Sequence, residues 1–131
     1  MNRQRAEAAG RKGELAAELY LRAKGWSVLA RRRKTPLGEI DLVVRRSGVV
    51  AFVEVKWRKR PEELAIAIDE FRLRRVAAAA EAVAHEYATN GEDLRVDVIL
   101  LRPRAWPRHG NAFNAPSHIF AAICGHRVDY C

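Results

Sequence analysis

Cysteine is nearly missing from this chain: Cys124 and Cys131, both in the tail, are the only two. No disulfide framework can hold the core, which must come from apolar packing. Long hydrophobic runs are missing as well. No stretch approaches the ~20 apolar residues that a membrane-spanning helix needs, and the N-terminus lacks the apolar core of a signal peptide. Membrane insertion is therefore not expected, and the expected location is cytoplasmic. Acid is in short supply, since 16 Asp and Glu face 24 Lys and Arg for a formal net charge of +8 and a pI near 10.2. That balance favours a polyanionic partner; a merely basic soluble protein is the alternative on charge alone. There is no internal repeat, and 131 residues with 49% hydrophobic content suffice for one modest core and not for two.

The few acids inside apolar runs stand out against this background. Gly38-Glu39-Ile40-Asp41-Leu42-Val43-Val44 and Val49-Val50-Ala51-Phe52-Val53-Glu54-Val55-Lys56 both read as buried strands. A buried, unpaired carboxylate is unfavourable by several kcal/mol, so a partner charge or a metal has to compensate. Arg45-Arg46-Ser47-Gly48 is a short polar turn, which makes the two strands an antiparallel hairpin. Alternation then puts Glu54 and Lys56 on one face and Val53, Val55 and Trp57 on the other, with Asp41 across from Glu54. Two carboxylates and an ammonium on rigid neighbouring strands suit a Mg²⁺-dependent phosphodiester hydrolase. They offer oxygen ligands for a hard cation and a positive charge beside the water or the phosphate.

The rest of the chain frames that hairpin. Residues 1–9 mix Arg and Glu with Ala and read as a flexible basic arm or a frayed first turn. A helix follows from Arg11 to Lys24, with Leu15 and Leu19 on one side and Gly25 as its stop. At about 100° per residue Leu21 falls close to Glu14, so Glu14 faces inward, and Glu18 lies near the same edge. Trp26 to Ala30 is a first strand. Arg31-Arg32-Arg33-Lys34 comes next, either a solvated turn or a run that tracks phosphates into the strand of Asp41. Lys56-Trp57-Arg58-Lys59-Arg60 leaves the third strand as a second basic cluster, with Trp57 as core or as a stacking surface, alternation favouring core. Pro61-Glu62-Glu63 opens a long helix. Its core stripe is Leu64, Ile68, Phe71, Val76, Ala80, Val83 and Tyr87, and Arg72, Arg74 and Arg75 take the polar side. A last strand runs from Arg95 to Leu101 with Arg95 and Asp97 on its polar face, as a surface ion pair or as support for the site. Beyond Pro103 the structure is open. Zinc from His109, His118, Cys124, His126 and Cys131 is not favoured, because only Cys124-Gly125-His126 is a tight pair.

Asp41, a gap of a dozen residues and then Glu54-Val55-Lys56 resemble the D…ExK signature of the PD-(D/E)xK nuclease superfamily. Gly13-Glu14, Gly38-Glu39-Ile40-Asp41-Leu42, Phe52-Val53-Glu54-Val55-Lys56 with Arg58, Arg95-Val96-Asp97-Val98 and Asn111-Ala112-Phe113 resemble, in that order, the YraN-like family of small bacterial proteins. That family has no settled biochemical role. The resemblance implies a nuclease-like fold and a first-helix Glu, here Glu14, in the metal shell. The chain departs from the family at Arg72, near which the family carries a lysine, and in a shorter link after Lys56. A guanidinium can hold a phosphate but cannot act as a base.

The expectation is an α/β protein with a restriction-endonuclease-like core, a central mixed β-sheet flanked by α-helices in the order α-β-β-β-α-β. The nuclease-like domain spans 10–120 and a tail of uncertain structure spans 121–131. Asp41, Glu54, the Val55 carbonyl and Glu14 are expected to bind Mg²⁺ or Mn²⁺, and Lys56 to orient or activate water or to neutralise charge on the phosphate. Arg31, Arg32, Arg33, Lys34, Arg58, Lys59, Arg60 and Arg72 are expected on nucleic acid, DNA before RNA. A homodimer is compatible with cleavage of two strands. One rival is a binding module with this fold and little turnover, and the other is a structural protein whose acids pair within the core.

Overall fold

A computed structural model describes residues 3–57, 70–101, 104 and 106–115. Helix α1 spans Arg3–Ala23, strand β1 Ser27–Thr35, β2 Gly38–Arg46, β3 Val49–Trp57, helix α2 Glu70–Tyr87, β4 Asp93–Leu101 and β5 Arg108–Ala115. The strands form one five-stranded mixed sheet in the order β1-β2-β3-β4-β5. Only β3 and β4 are parallel, with α2 lying between them in the chain, and the other neighbours run antiparallel. This is the expected α-β-β-β-α-β order, extended by an edge strand over residues assigned no structure from the sequence. Among the described residues no helix is long and apolar enough to cross a membrane.

Among the described residues each face of the sheet carries one helix. On one side Val50, Phe52, Val96 and Val98 meet Val76, Ala77, Ala80 and Val83 of α2. On the other Leu42, Val44, Ala51, Val53 and Ile99 meet Ala17 and Leu21 of α1, closed off by Trp26. The period-2 alternation of β3 therefore serves two cores at once, which is why the strand reads as a continuous apolar run. The small residues at Gly13 and Ala17 bring α1 down onto the sheet: a Cβ at Gly13 would lie 3.6 Å from Leu101 Cδ1. Leu15 and Leu19, read as the apolar side of the helix, are 56% and 59% exposed. The inward arc is Gly13, Ala17 and Leu21, with Glu14 and Glu18 on its rim. Trp57, expected in the core, is partly exposed at the end of β3.

Left-handed residues set two of the joints that frame the site. Ser47 (φ 43°) and Gly48 (φ 77°) make the two-residue turn of the β2–β3 hairpin, matching the right-handed strand twist. At the end of α1, Gly25 (φ 92°) lets its own N–H reach the Arg22 carbonyl and the Trp26 N–H reach the Leu21 carbonyl, both at 3.0 Å. That double closure satisfies the last helical carbonyls and seats Trp26 on Leu21. A methyl group at Gly25 would meet Arg46 Cδ at an ordinary 3.7 Å, so the cost of Gly25→Ala is conformational. We expect a loss of about 1 kcal/mol in urea denaturation.

The helix α1 runs back to Arg3 and takes in residues read from the sequence as an arm. The start expected for α2 at Pro61, with Leu64 and Ile68, lies outside the described residues, as do Arg58, Lys59, Arg60 and the 121–131 tail.

Candidate functional site

The site is built where β2 parts from β3. Their pairing ends at Leu42↔Val53, and one more step of the same register would set Asp41 against Glu54. Instead Asp41 turns its carboxylate into the gap and Oδ2 accepts the Val55 N–H at 2.8 Å. Strict alternation breaks here. Ile40 and Val43 belong to the α2 side of the sheet, while Leu42 and Val44 belong to the α1 side. Asp41 also reaches the α1 side, where single carboxylate oxygens of Glu14, Glu39 and Asp41 all lie within 4.8 Å of one another.

Alternation breaks in β1 as well. The register with β2 is unchanged from Arg31↔Leu42 to Arg33↔Ile40, but Arg32 between them is left-handed at φ 49°. Arg31 and Arg32 consequently both turn toward α1. Arg31 clamps the buried Glu18, its Nε lying 3.1 Å from Oε2, and Arg22 reaches Glu18 Oε1 at 3.1 Å. The Arg31 hydrogen bond and charge hold the Glu18 carboxyl below its usual range, against the opposing effect of burial. Arg32 Nε donates to Glu14 Oε2 at 2.7 Å, and Arg33 turns the other way to Glu86 of α2 at 2.6 Å. The run read as a solvated or phosphate-tracking segment is thus an edge strand with three arginines engaged on helix carboxylates. Lys34 is exposed.

Glu54 and Lys56 continue the Val50–Phe52 row of β3, as alternation requires. Both are buried, and Lys56 Nζ sits 2.6 Å from Glu54 Oε1. Burial pushes the Asp41 carboxyl up to about 7; the Glu54 charge and then the Glu14 charge add to the rise, while the Val55 N–H and the Lys56 ammonium oppose it. Glu54 and Lys56 therefore lie close enough to act on Asp41, although the tight acidic trio consists of Glu14, Glu39 and Asp41. Glu39 was missed from the sequence, where its i, i+2 spacing to Asp41 was the available signal.

The donor set fits a hard divalent cation. It is carboxylate oxygen only, and spans of up to 4.8 Å are compatible with two ligands on one ion at 2.0–2.6 Å each. Arg32 already supplies one positive charge to that set. Among the expected nucleic-acid contacts, the Arg72 side chain is outside the described residues; Arg74 and Arg75, placed with it on the polar side of the helix, are exposed.

A second charged cluster lies under α1. Asp97, read either as half of a surface ion pair or as support for the site, is fully buried, which rules out the surface pair. Arg95 grips it with Nε at 3.1 Å and Nη2 at 2.7 Å, and His109 Nε2 of β5 donates to Oδ2 at 2.6 Å. The His109 ring stands edge-on to Tyr20 and Trp26. This arrangement ties β5 to β4 and gives His109 a structural partner.

Comparison with known proteins agrees with the expected family. The uncharacterised protein family UPF0102 matches residues 13–101. The chain is 68% identical over 109 residues to a UPF0102 protein of Erythrobacter litoralis, covering 83% of this chain and 94% of that one. It is 53% identical over 109 residues to one from Sphingopyxis alaskensis, covering 83% and 94%, and 52% identical over 110 residues to one from Rhizorhabdus wittichii, covering 83% and 93%. The match takes in Glu14, Asp41, Glu54, Lys56 and Asp97, and the chain belongs to the uncharacterised protein family UPF0102, the family of the YraN-like resemblance.

Proposed function

We propose that this protein is a divalent-metal-dependent phosphodiesterase of the PD-(D/E)xK kind acting on nucleic acid, DNA before RNA. The observation that carries the reading is Asp41, held in the gap between β2 and β3, gathered with Glu14 and Glu39 and sensing the buried Glu54–Lys56 pair. A structural protein has no need to bring that many carboxylates to one opening in its sheet, because each desolvated acid raises the energy of the next.

Glu14, Asp41 and Glu54 would hold Mg²⁺ or Mn²⁺, with Glu39 available as a further oxygen donor. The N–H and C=O of a strand residue face the same neighbour, so the Val55 carbonyl belongs to the gap that the Val55 N–H already faces. When bound, the cation polarises the phosphate and lowers the pKa of a coordinated water. Lys56, fixed by Glu54, presents its ammonium where negative charge grows on the phosphate or orients the water. Lys34, Arg58, Lys59, Arg60 and Arg72 would contact backbone phosphates. Arg31 and Arg33 could join them only by leaving Glu18 and Glu86.

The decisive experiment titrates Mn²⁺ against thermal melting and runs linear, nicked, branched and RNA substrates with wild type and Lys56→Gln. Wild type is expected to cleave one of these forms, and Lys56→Gln to do so about 100- to 1,000-fold more slowly while keeping its metal-dependent melting shift. One observation favours a second reading. The arginines of β1 are engaged on carboxylates and Lys56 is buried on Glu54, a closed arrangement that suits a binding module of the same fold. Wild type that binds Mn²⁺ and DNA but cleaves none of the four forms would select that module.

A further inference from the structure

Arg32 differs from its neighbours in a way that an ordinary tether does not explain. Arg31 and Arg33 link β1 to the two helices from unremarkable backbone conformations, whereas Arg32 stands at φ 49°, a region that L-residues rarely adopt. In that conformation it follows Arg31 onto the α1 side. There its Nε lies 2.7 Å from Glu14 Oε2, within the set of three carboxylates, and the charges of Glu14, Glu39 and Asp41 all act on it. It is also 44% exposed in its side chain, against 22% for Glu14, so the guanidinium can swing outward without opening a core.

Building on the metal reading above, we infer that Arg32 is the resident counter-ion of the metal site, occupying Glu14 in the metal-free protein and competing with the divalent cation for it. Glu14 Oε2 cannot give the same lone pair to a guanidinium N–H and to a metal, and a fixed positive charge beside three carboxylates repels a second cation. Metal binding then releases Arg32 toward solvent at the mouth of the site. No member of the acidic trio changes its place in the chain's fold for this exchange; only one exposed side chain moves.

Calorimetric titration of the full chain with MnCl₂ at low salt tests the competition. Arg32→Gln removes the charge and the fork, and Arg32→Gly does so with a residue that takes a positive φ freely, which keeps the test alive if the glutamine variant folds poorly. Both are expected to bind Mn²⁺ about three- to tenfold more tightly than wild type, the range of a half-exposed ion pair removed from competition. Arg31→Gln, which removes an equal charge from Glu18, should change the affinity by less than about twofold. In a Glu14→Gln background the gain from Arg32→Gln should vanish, since the contested oxygen is gone. Equal or weaker binding by both Arg32 variants, or an equal gain from Arg31→Gln, overturns the inference and leaves the metal site standing. If neither wild type nor either Arg32 variant takes up Mn²⁺, the metal reading and this inference fall together.

Discussion

Asp41→Asn is expected to make the metal-free protein more stable at pH 8 and to abolish its response to metal. The Asp41 carboxyl has been pushed up to about 7, chiefly by burial and then by the charge of Glu54. An unfolded chain releases that proton near pH 4. Between those two values the folded state binds the extra proton, so stability falls by up to about 1.4 kcal/mol for each unit of rising pH. The stabilisation is therefore complete below about pH 4, is lost as the pH rises through about 7, and leaves wild type with a deficit on the order of 2–4 kcal/mol at pH 8. Asparagine can still accept the Val55 N–H and carries no charge to repel Glu54 or Glu14. Urea denaturation in EDTA from pH 4.5 to 8.5 should show a falling curve for wild type and a flatter one for the variant, the two converging at the acid end. Curves that run parallel across the range would remove the repulsion argument. With Mn²⁺ present the order reverses: wild type gains stability by mass action, while the variant, lacking a ligand, gains little and cleaves nothing.

Asp97→Ala should be among the most destabilising single changes in the sheet, at about 3–5 kcal/mol. The carboxylate is fully buried and meets two donors of Arg95 and one of His109. Taking it away leaves a guanidinium and an imidazole facing an apolar hole, and severs the side-chain link between β4 and β5. Asp97→Asn keeps the volume and one acceptor, so its loss should be smaller. Equilibrium urea unfolding of the two variants beside wild type provides the measure. A loss below about 1 kcal/mol for the alanine variant would mean that water replaces the carboxylate at no great cost, and that the buried cluster contributes no more than a surface pair does.

The β2–β3 hairpin was legible because two independent signals agree there, the period-2 alternation of Val50, Phe52 and Glu54 and the left-handed turn residues Ser47 and Gly48. The α2 stripe of Val76, Ala80 and Val83 was legible from its helical spacing. Elsewhere the signals were silent or misleading. Arg108–Ala115 lacks the β-branched residues that mark a strand, and forms β5 by pairing with β4, held by His109 on Asp97. Four consecutive charges in β1 carry no alternation, and their strand is stabilised by the β2 backbone and by acids from both helices. Leu15 and Leu19 look like a core stripe, yet the smaller Gly13–Ala17 face wins because it lets α1 approach the sheet closely.

What the amino-acid order determined by itself was the chemistry brought to one place: an Asp and a Glu-x-Lys on neighbouring strands, a first-helix Glu, an excess of basic residues, and the mixed sheet that carries them. Only the tertiary structure decided which acids meet. Simple alternation places Asp41 on the face of Val43. The divergence of β2 from β3 and the left-handed Arg32 opposite it turn both side chains to the α1 side, where Asp41 joins Glu14 and Glu39 and where Arg32 finds Glu14. A pattern read along one strand cannot contain that turn, because its cause is a neighbouring strand leaving and a helix carboxylate arriving.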